Sequence, residues 1–208
     1  MQLQPPSKND LPDLASRVLS SYLDRSGTVL YSSHETIKPG KIYLVGLNPG
    51  GQGGPTLQTN ISLMLSRQEN AYLDERWENG RELPEPGKAL LQRRVDWLLT
   101  QLGAQTRDVL ATNLIFMQSR DASGVSKGLA DVCWPVHEAL LSIVRPSLIV
   151  AFGNSTFSPY GYLHRRLGGE QRCGESGHGD WKLKGFDARM PWGSVFVAGL
   201  PHLSRYDP

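Results

Sequence analysis

The chain predicts an α/β fold: one domain over residues 1–208, in three layers, α/β/α, around a mostly parallel central sheet. Three observations predict it. The run Lys41-Ile42-Tyr43-Leu44-Val45 is apolar without polar alternation, which is how a buried central strand reads. It drives directly into Gly46-Leu47-Asn48-Pro49-Gly50-Gly51, whose glycines and proline force a sharp exit at the strand's carboxyl end. Further strand-like runs follow, separated by segments with helical spacing, and that alternation implies parallel strands with helices on both faces.

In chain order, residues 11–23 have helical spacing, with Asn9 or Asp10 as a cap and Gly27 as a stop. Residues 41–45 form the first strand. After its glycine loop, residues 59–67 read as a short helix and the stretch through Pro86 as polar and charged. Residues 87–102 have amphipathic spacing ended by Gly103. Residues 109–117 read as the second strand, 129–144 as a helix and 147–152 as the third strand. Helical spacing returns over 155–167, a glycine-rich loop spans 168–180, residues 181–186 suit a hairpin arm, and 194–198 read as the last strand.

Composition narrows the classes. With 22 Lys and Arg against 20 Asp and Glu, the net charge is +2, so a nucleic-acid partner is permitted but no basic tail advertises one. Two cysteines, Cys133 and Cys173, supply neither a disulfide framework nor a four-cysteine metal site. The polar residues 1–10 lack an apolar signal segment, and no apolar run approaches the length of a membrane span. A monomeric cytoplasmic protein with no membrane association is the expectation.

The glycine loop matches neither common phosphate-binding pattern. No Lys follows at the Walker position, and the step that needs a third glycine in a dinucleotide fingerprint falls on Thr56. A plain strand-to-loop turn explains such a loop equally well when it stands alone. A parallel sheet, however, gathers the carboxyl ends of its strands along one edge, where open α/β sheets bind ligands. Asn48 follows the first strand, Asn113 belongs to Ala111-Thr112-Asn113-Leu114-Ile115-Phe116, and His202 lies in Gly199-Leu200-Pro201-His202-Leu203-Ser204-Arg205-Tyr206.

With those three residues at three strand ends, the chain resembles the uracil-DNA glycosylase superfamily. Gly46-Leu47-Asn48-Pro49-Gly50 looks like the G-[MI]-N-P-G loop of its single-strand-selective and mismatch-specific branches, with Leu47 at the variable position. The second strand resembles the one that carries a base-reading Asn, and residues 146–153 are similar to the third strand. Pro201-His202-Leu203-Ser204 is a degraded H-P-S loop, lacking the proline directly after histidine. The resemblance spans about residues 41–206. A gapless count places Ile61 where relatives carry the aromatic that stacks on the base, with Tyr72 or Phe116 as substitutes.

The resemblance implies hydrolysis of the N-glycosidic bond of uracil or a related damaged or deaminated base in DNA, without cofactor or metal. Asn48 would position the water through its side-chain carbonyl, since an amide cannot act as a general base near neutral pH. His202 would stabilise the anion developing on the leaving base. Asn113 would read the base, accepting from uracil N3–H while donating to O4, a pattern that cytosine reverses. Gly46, Leu47, Pro49, Gly50, Ile61 and Phe116 would line the pocket. Gly50, standing where a stricter enzyme places a bulky aromatic, implies a roomier wall. Leu203 would fill the duplex as a wedge, with Ser204 and Arg205 on the DNA, and binding would be salt-dependent.

Two other classes fit parts of the pattern. A non-catalytic nucleic-acid or nucleobase binder would use the same residues without hydrolysis. A serine hydrolase would use Ser155, Asp187 and His202, which occur in the order of the α/β-hydrolases, although Phe157 stands where the nucleophile elbow needs glycine. Cys173 and His178 lack a ligand set for a metal.

Overall fold

The computed structural model describes residues 6–78, 83–120, 124, 126 and 128–208. Parts of the polar amino terminus and of the charged stretch before Pro86 therefore lie outside the described residues. Among the described residues six strands form one sheet in the order β2-β1-β3-β6-β5-β4: β1 Ile42–Gly46, β2 Leu110–Asn113, β3 Leu148–Phe152, β4 Arg172–Glu175, β5 Lys182–Met190 and β6 Gly193–Leu200. The first four in that order run parallel, and β5 and β4 add an antiparallel hairpin at one edge. The parallel expectation thus holds for the strands between helices. The final hairpin departs from it because only a tight turn, Pro191 and Trp192, joins β5 to β6, and a connection that short reverses the chain.

All five residues of β1 are buried, as an unalternating apolar run between two neighbours requires. The helices are α1 Leu11–Val18, α2 Leu57–Ser62, α3 Leu90–Gln101, α4 Leu129–Val144 and α5 Pro159–Leu167. Side-chain parity along the strands divides the interior in two. Tyr43, Val45, Ile149, Val195 and Val197 pack with α1, α2, α4 and α5, through Leu11, Leu57, Trp134 and Tyr160. Ile42, Leu44, Val150 and Phe152 face the other way, against Val95, Leu98 and Leu99 of α3 and against Leu203 and Tyr206 of the C-terminal segment. Arg94 of α3 fastens that segment by donating from Nη1 to Leu203 O at 2.9 Å.

Several boundaries differ from expectation. The second strand ends at Asn113 rather than Met117. Beyond it, Leu114 and Ile115 N–H bond to Gly46 and Leu47 O at 2.8 and 2.9 Å, and Phe116 O then accepts from Thr28 N–H. The chain has left the sheet to follow the β1 exit loop. Residues 168–180, expected as loop, contain β4, a fully exposed edge strand whose polar residues give no apolar signal. No helix of the described residues is long and apolar enough to cross a membrane.

Candidate active site

Gly46, Asn113 and Phe152 end three neighbouring parallel strands. Gly46 pairs with Asn113 across β1 and β2, and the side chains of Asn113 and Phe152 close over it on the α3 face. A Cβ at Gly46 would strike Asn113 Oδ1 and approach Phe152 ring carbons at 2.7 and 2.9 Å. Glycine is needed here for close approach rather than for a special backbone angle. Phe152 in turn stands edge-on to the His202 ring, with centroids 5.5 Å apart and planes at 78°. Gly46, Asn113, Phe152 and His202 therefore form one contiguous group at the carboxyl edge of the sheet.

Asn113 is 3 % exposed, and its Nδ2 is buried without an acceptor. An unmet buried donor costs about 1–3 kcal/mol, so native structures hold few of them. The Tyr31 phenol lies beside this amide, close enough to feel it but without a hydrogen bond of full geometry; burial first, then the Glu75 charge, raises the phenol's pKa against the opposing effect of the amide, so that it stays protonated. Tyr31, Tyr72 and Trp77 pack together with ring centroids 5.3–5.9 Å apart. Trp77 Nε1 donates to Glu75, which also pairs with Arg67 at 2.7 Å.

His202 has a defined tautomer. Its Nδ1 accepts from the Ser204 backbone N–H at 3.2 Å and sits 2.8 Å from Ser204 Oγ. A backbone N–H can only donate, so Nδ1 carries the lone pair and the proton of the neutral ring is on Nε2. Burial first, and then the Arg205 charge, lowers the pKa below the usual imidazole value and keeps the ring neutral near pH 7. Nε2–H makes no hydrogen bond among the described residues and remains available as a donor.

Asn48 is half-buried on the β1 exit loop. Its Nδ2 donates to Pro49 O at 2.8 Å, which leaves Oδ1 as an acceptor without a protein partner among the described residues. The loop is braced from the β2 side: Ser119 N–H bonds to Pro49 O at 3.0 Å, and Gln118 donates to Gly50 O at 2.7 Å while accepting from Gly54 N–H. Asn48 makes no hydrogen bond to Asn113 or His202. Pro49 is buried and Leu47 half-buried. Gly50 is exposed, and a Cβ there would meet nothing within 4 Å.

Three expected positions lie away from this group or are buried in the core. Ile61 is 1 % exposed on α2 and packs in the cluster on the opposite face of the sheet from Gly46, Asn113 and Phe152. Phe116 is fully buried in that same cluster, its ring 4.8 Å from His137. Neither side chain reaches the group that holds Asn113. Leu203 is fully buried against α3, so it fills the core and presents no wedge. Ser204 and Arg205 are exposed.

The serine-hydrolase arrangement is not assembled. Asp187 lies within β5 opposite Phe196 and accepts from Arg172 at 2.6 Å, while His202 Nδ1 engages Ser204 rather than a carboxylate. Among the described residues no three His, Cys, Asp or Glu side chains gather to hold a metal. Two surface clefts, about 250 Å³ beside Asn60 and Arg67 and about 440 Å³ beside Asp96 and Arg107, contain none of Asn48, Asn113 and His202.

Phe152 and Tyr31 were missed in the sequence. A signal existed for Phe152, which closes its apolar run where Gly46 and Asn113 close theirs. Tyr31 precedes the first strand in a stretch without periodicity, and only folding brings it to Asn113. Compared with models of protein families the chain matches none, and no curated protein matches it.

Proposed function

We propose that the protein is a DNA glycosylase that hydrolyses the N-glycosidic bond of uracil or a related damaged or deaminated base. One observation carries this reading: the buried Asn113 Nδ2, which lacks an acceptor, and a neutral His202 whose Nε2–H is unengaged both flank Phe152. A carbonyl-bearing base satisfies both donors. Asn113 takes the base edge, and His202 takes the oxygen on which negative charge develops.

In the reaction the C1′–N1 bond breaks with its electron pair leaving on the base, and a water oxygen bonds to C1′. The water's proton goes to solvent or to the departing base. Asn48 Oδ1, left open by the Nδ2 bond to Pro49, holds that water in line. No carboxylate is needed for this role, and a slow enzyme is the consequence. The base must be extruded to reach Asn113, and the absence of a bulky side chain at Gly50 is compatible with a substituent at C5.

The test is incubation with oligonucleotides carrying uracil, hydroxymethyluracil, hypoxanthine or mismatched thymine, followed by cleavage at abasic sites. Release of a free base supports the glycosylase. Binding without release from any of them supports a non-catalytic nucleobase or nucleic-acid binder.

A further inference from the structure

The β4–β5 turn, residues 176–181, overhangs the same sheet edge as His202. Lys184 of β5 pairs with Gly199 of β6, so β5 begins where β6 ends. Asn154, in the loop after β3, ties the two together by donating to Lys182 O at 2.7 Å and Gly199 O at 3.1 Å. Tyr206 joins this turn to the candidate site. Its N–H bonds to His202 O at 3.0 Å, and its hydroxyl donates to Ser176 O at 2.9 Å.

Three rings stand together here. His178 stacks on Trp181 with centroids 5.3 Å apart and planes at 23°, and Tyr206 buttresses both at 6.2 and 6.1 Å. Tyr206 is buried, but His178 is exposed and Trp181 keeps 38 % of its surface in water. The indole is thus held by a stacked histidine and a buried tyrosine while part of it meets solvent. Arg205, one residue before Tyr206, is exposed and makes no ion pair among the described residues, whereas Lys182 is neutralised by Glu175 at 2.6 Å.

We infer that Trp181 and His178, buttressed by Tyr206, stack an unpaired base of a single-stranded nucleic acid whose backbone Arg205 contacts. This rests on the reading of the neighbouring site as one that takes a nucleotide. The chemistry favours a nucleic-acid strand over a protein partner. The surface is narrow, a stacked ring pair flanked by Tyr206, it lies beside Arg205, unpaired among the described residues, and it continues through Tyr206 into the His202 loop. Stacking on such a ring tolerates any base, because every base has a π face. The ordering of Tyr206 and Trp181 precedes binding, which lowers the entropic cost of fixing the strand.

The experiment measures binding of a fluorescently labelled, undamaged oligodeoxythymidine by anisotropy at low salt, with the same-length duplex in parallel. Trp181→Ala should weaken single-strand binding roughly tenfold, Trp181→Phe should retain most of it, and duplex binding should change less than twofold. Trp181→Ala gives up packing on His178 and Tyr206 and should melt somewhat lower, whereas Trp181→Phe should match the parent, so the comparison of the two separates stacking from folding. Wild-type affinity for the single strand in Trp181→Ala, or absence of single-strand binding by the wild type, overturns the inference. Loss of single-strand binding in Trp181→Ala, with no base released from any substrate, sustains the platform while rejecting the glycosylase reading.

Discussion

Phe152 stands edge-on to His202 at 5.5 Å while its ring also covers Gly46, so a single aromatic side chain spans the gap between the strand ends at Gly46 and Asn113 and the histidine loop. The two rings meet in the favoured edge-to-face arrangement, in which a positive ring edge meets a negative face. The consequence is positional: the direction of His202 Nε2–H depends on a side chain that itself transfers no proton.

Phe152→Leu tests that dependence. An apolar replacement of similar bulk should cost about 1 kcal/mol in stability. Base release should fall further than stability suggests, by roughly tenfold or more, because small misplacement of a reacting group is expensive. Single-turnover rates compared with urea denaturation midpoints make the separation. Equal, small changes in both would reduce Phe152 to packing.

Asn113 offers a trade between stability and function. Asn113→Leu removes a buried donor that lacks an acceptor, so stability should hold or rise by about 1 kcal/mol. Base release and affinity for a base should nevertheless disappear. Asn113→Asp should keep the shape and alter which base is preferred. A Leu variant that melts several degrees lower would show that the amide is satisfied within the folded protein.

His202→Ala and Asn48→Ala should separate two parts of one reaction. Loss of the preorganised donor should lower base release by ~10²–10³. The Asn48 variant should lose water placement instead, and added small nucleophiles should partly rescue it. Neither should abolish DNA binding. Two variants with wild-type single-turnover rates would remove both residues from the mechanism.

His137 sets an acid limit on the fold. It is buried, accepts from Tyr43 Oη at Nδ1 at 2.8 Å, and donates from Nε2 to Leu114 O at 3.1 Å. Burial outweighs the backbone contacts and pushes its pKa down to about 4. Above the unfolded value near 6.5 the ring is neutral in both states and the effect is nil. As pH falls from there to about 4, the unfolded chain binds the proton and the folded chain does not, so stability drops by about 3 kcal/mol. His137→Gln retains a donor and an acceptor without titrating. Thermal midpoints between pH 7 and pH 4 should fall less steeply in that variant than in the parent.

Legibility from sequence followed burial. β1, β3 and α4 were readable because their apolar residues are buried on the faces that periodicity names. β2 was overextended because Leu114–Met117 are as apolar as the strand but bond to the β1 exit loop and to residue 28 instead. β4 was invisible because an exposed edge strand has no apolar requirement. The asparagines were placed at the right strand ends by motif alone. Ile61 lies on the other face of the sheet because residue counting across a loop does not fix which face of α2 turns inward, and its apolar side chain goes to the core. Leu203 followed the same rule, since an apolar residue beside a loop is buried unless something holds it out.

The bonds from Leu114, Ile115, Gln118 and Ser119 to the β1 exit loop make Asn48 and Asn113 parts of one braced piece. The histidine loop hangs instead from β6 and from Arg94 of α3. The candidate site is thus a vice with one fixed jaw. Under the proposed reaction, a base reaches the covered Asn113 by displacing the His202 loop, which is held by β6, α3 and the Tyr206 bond to Ser176, and not the braced piece that carries both asparagines.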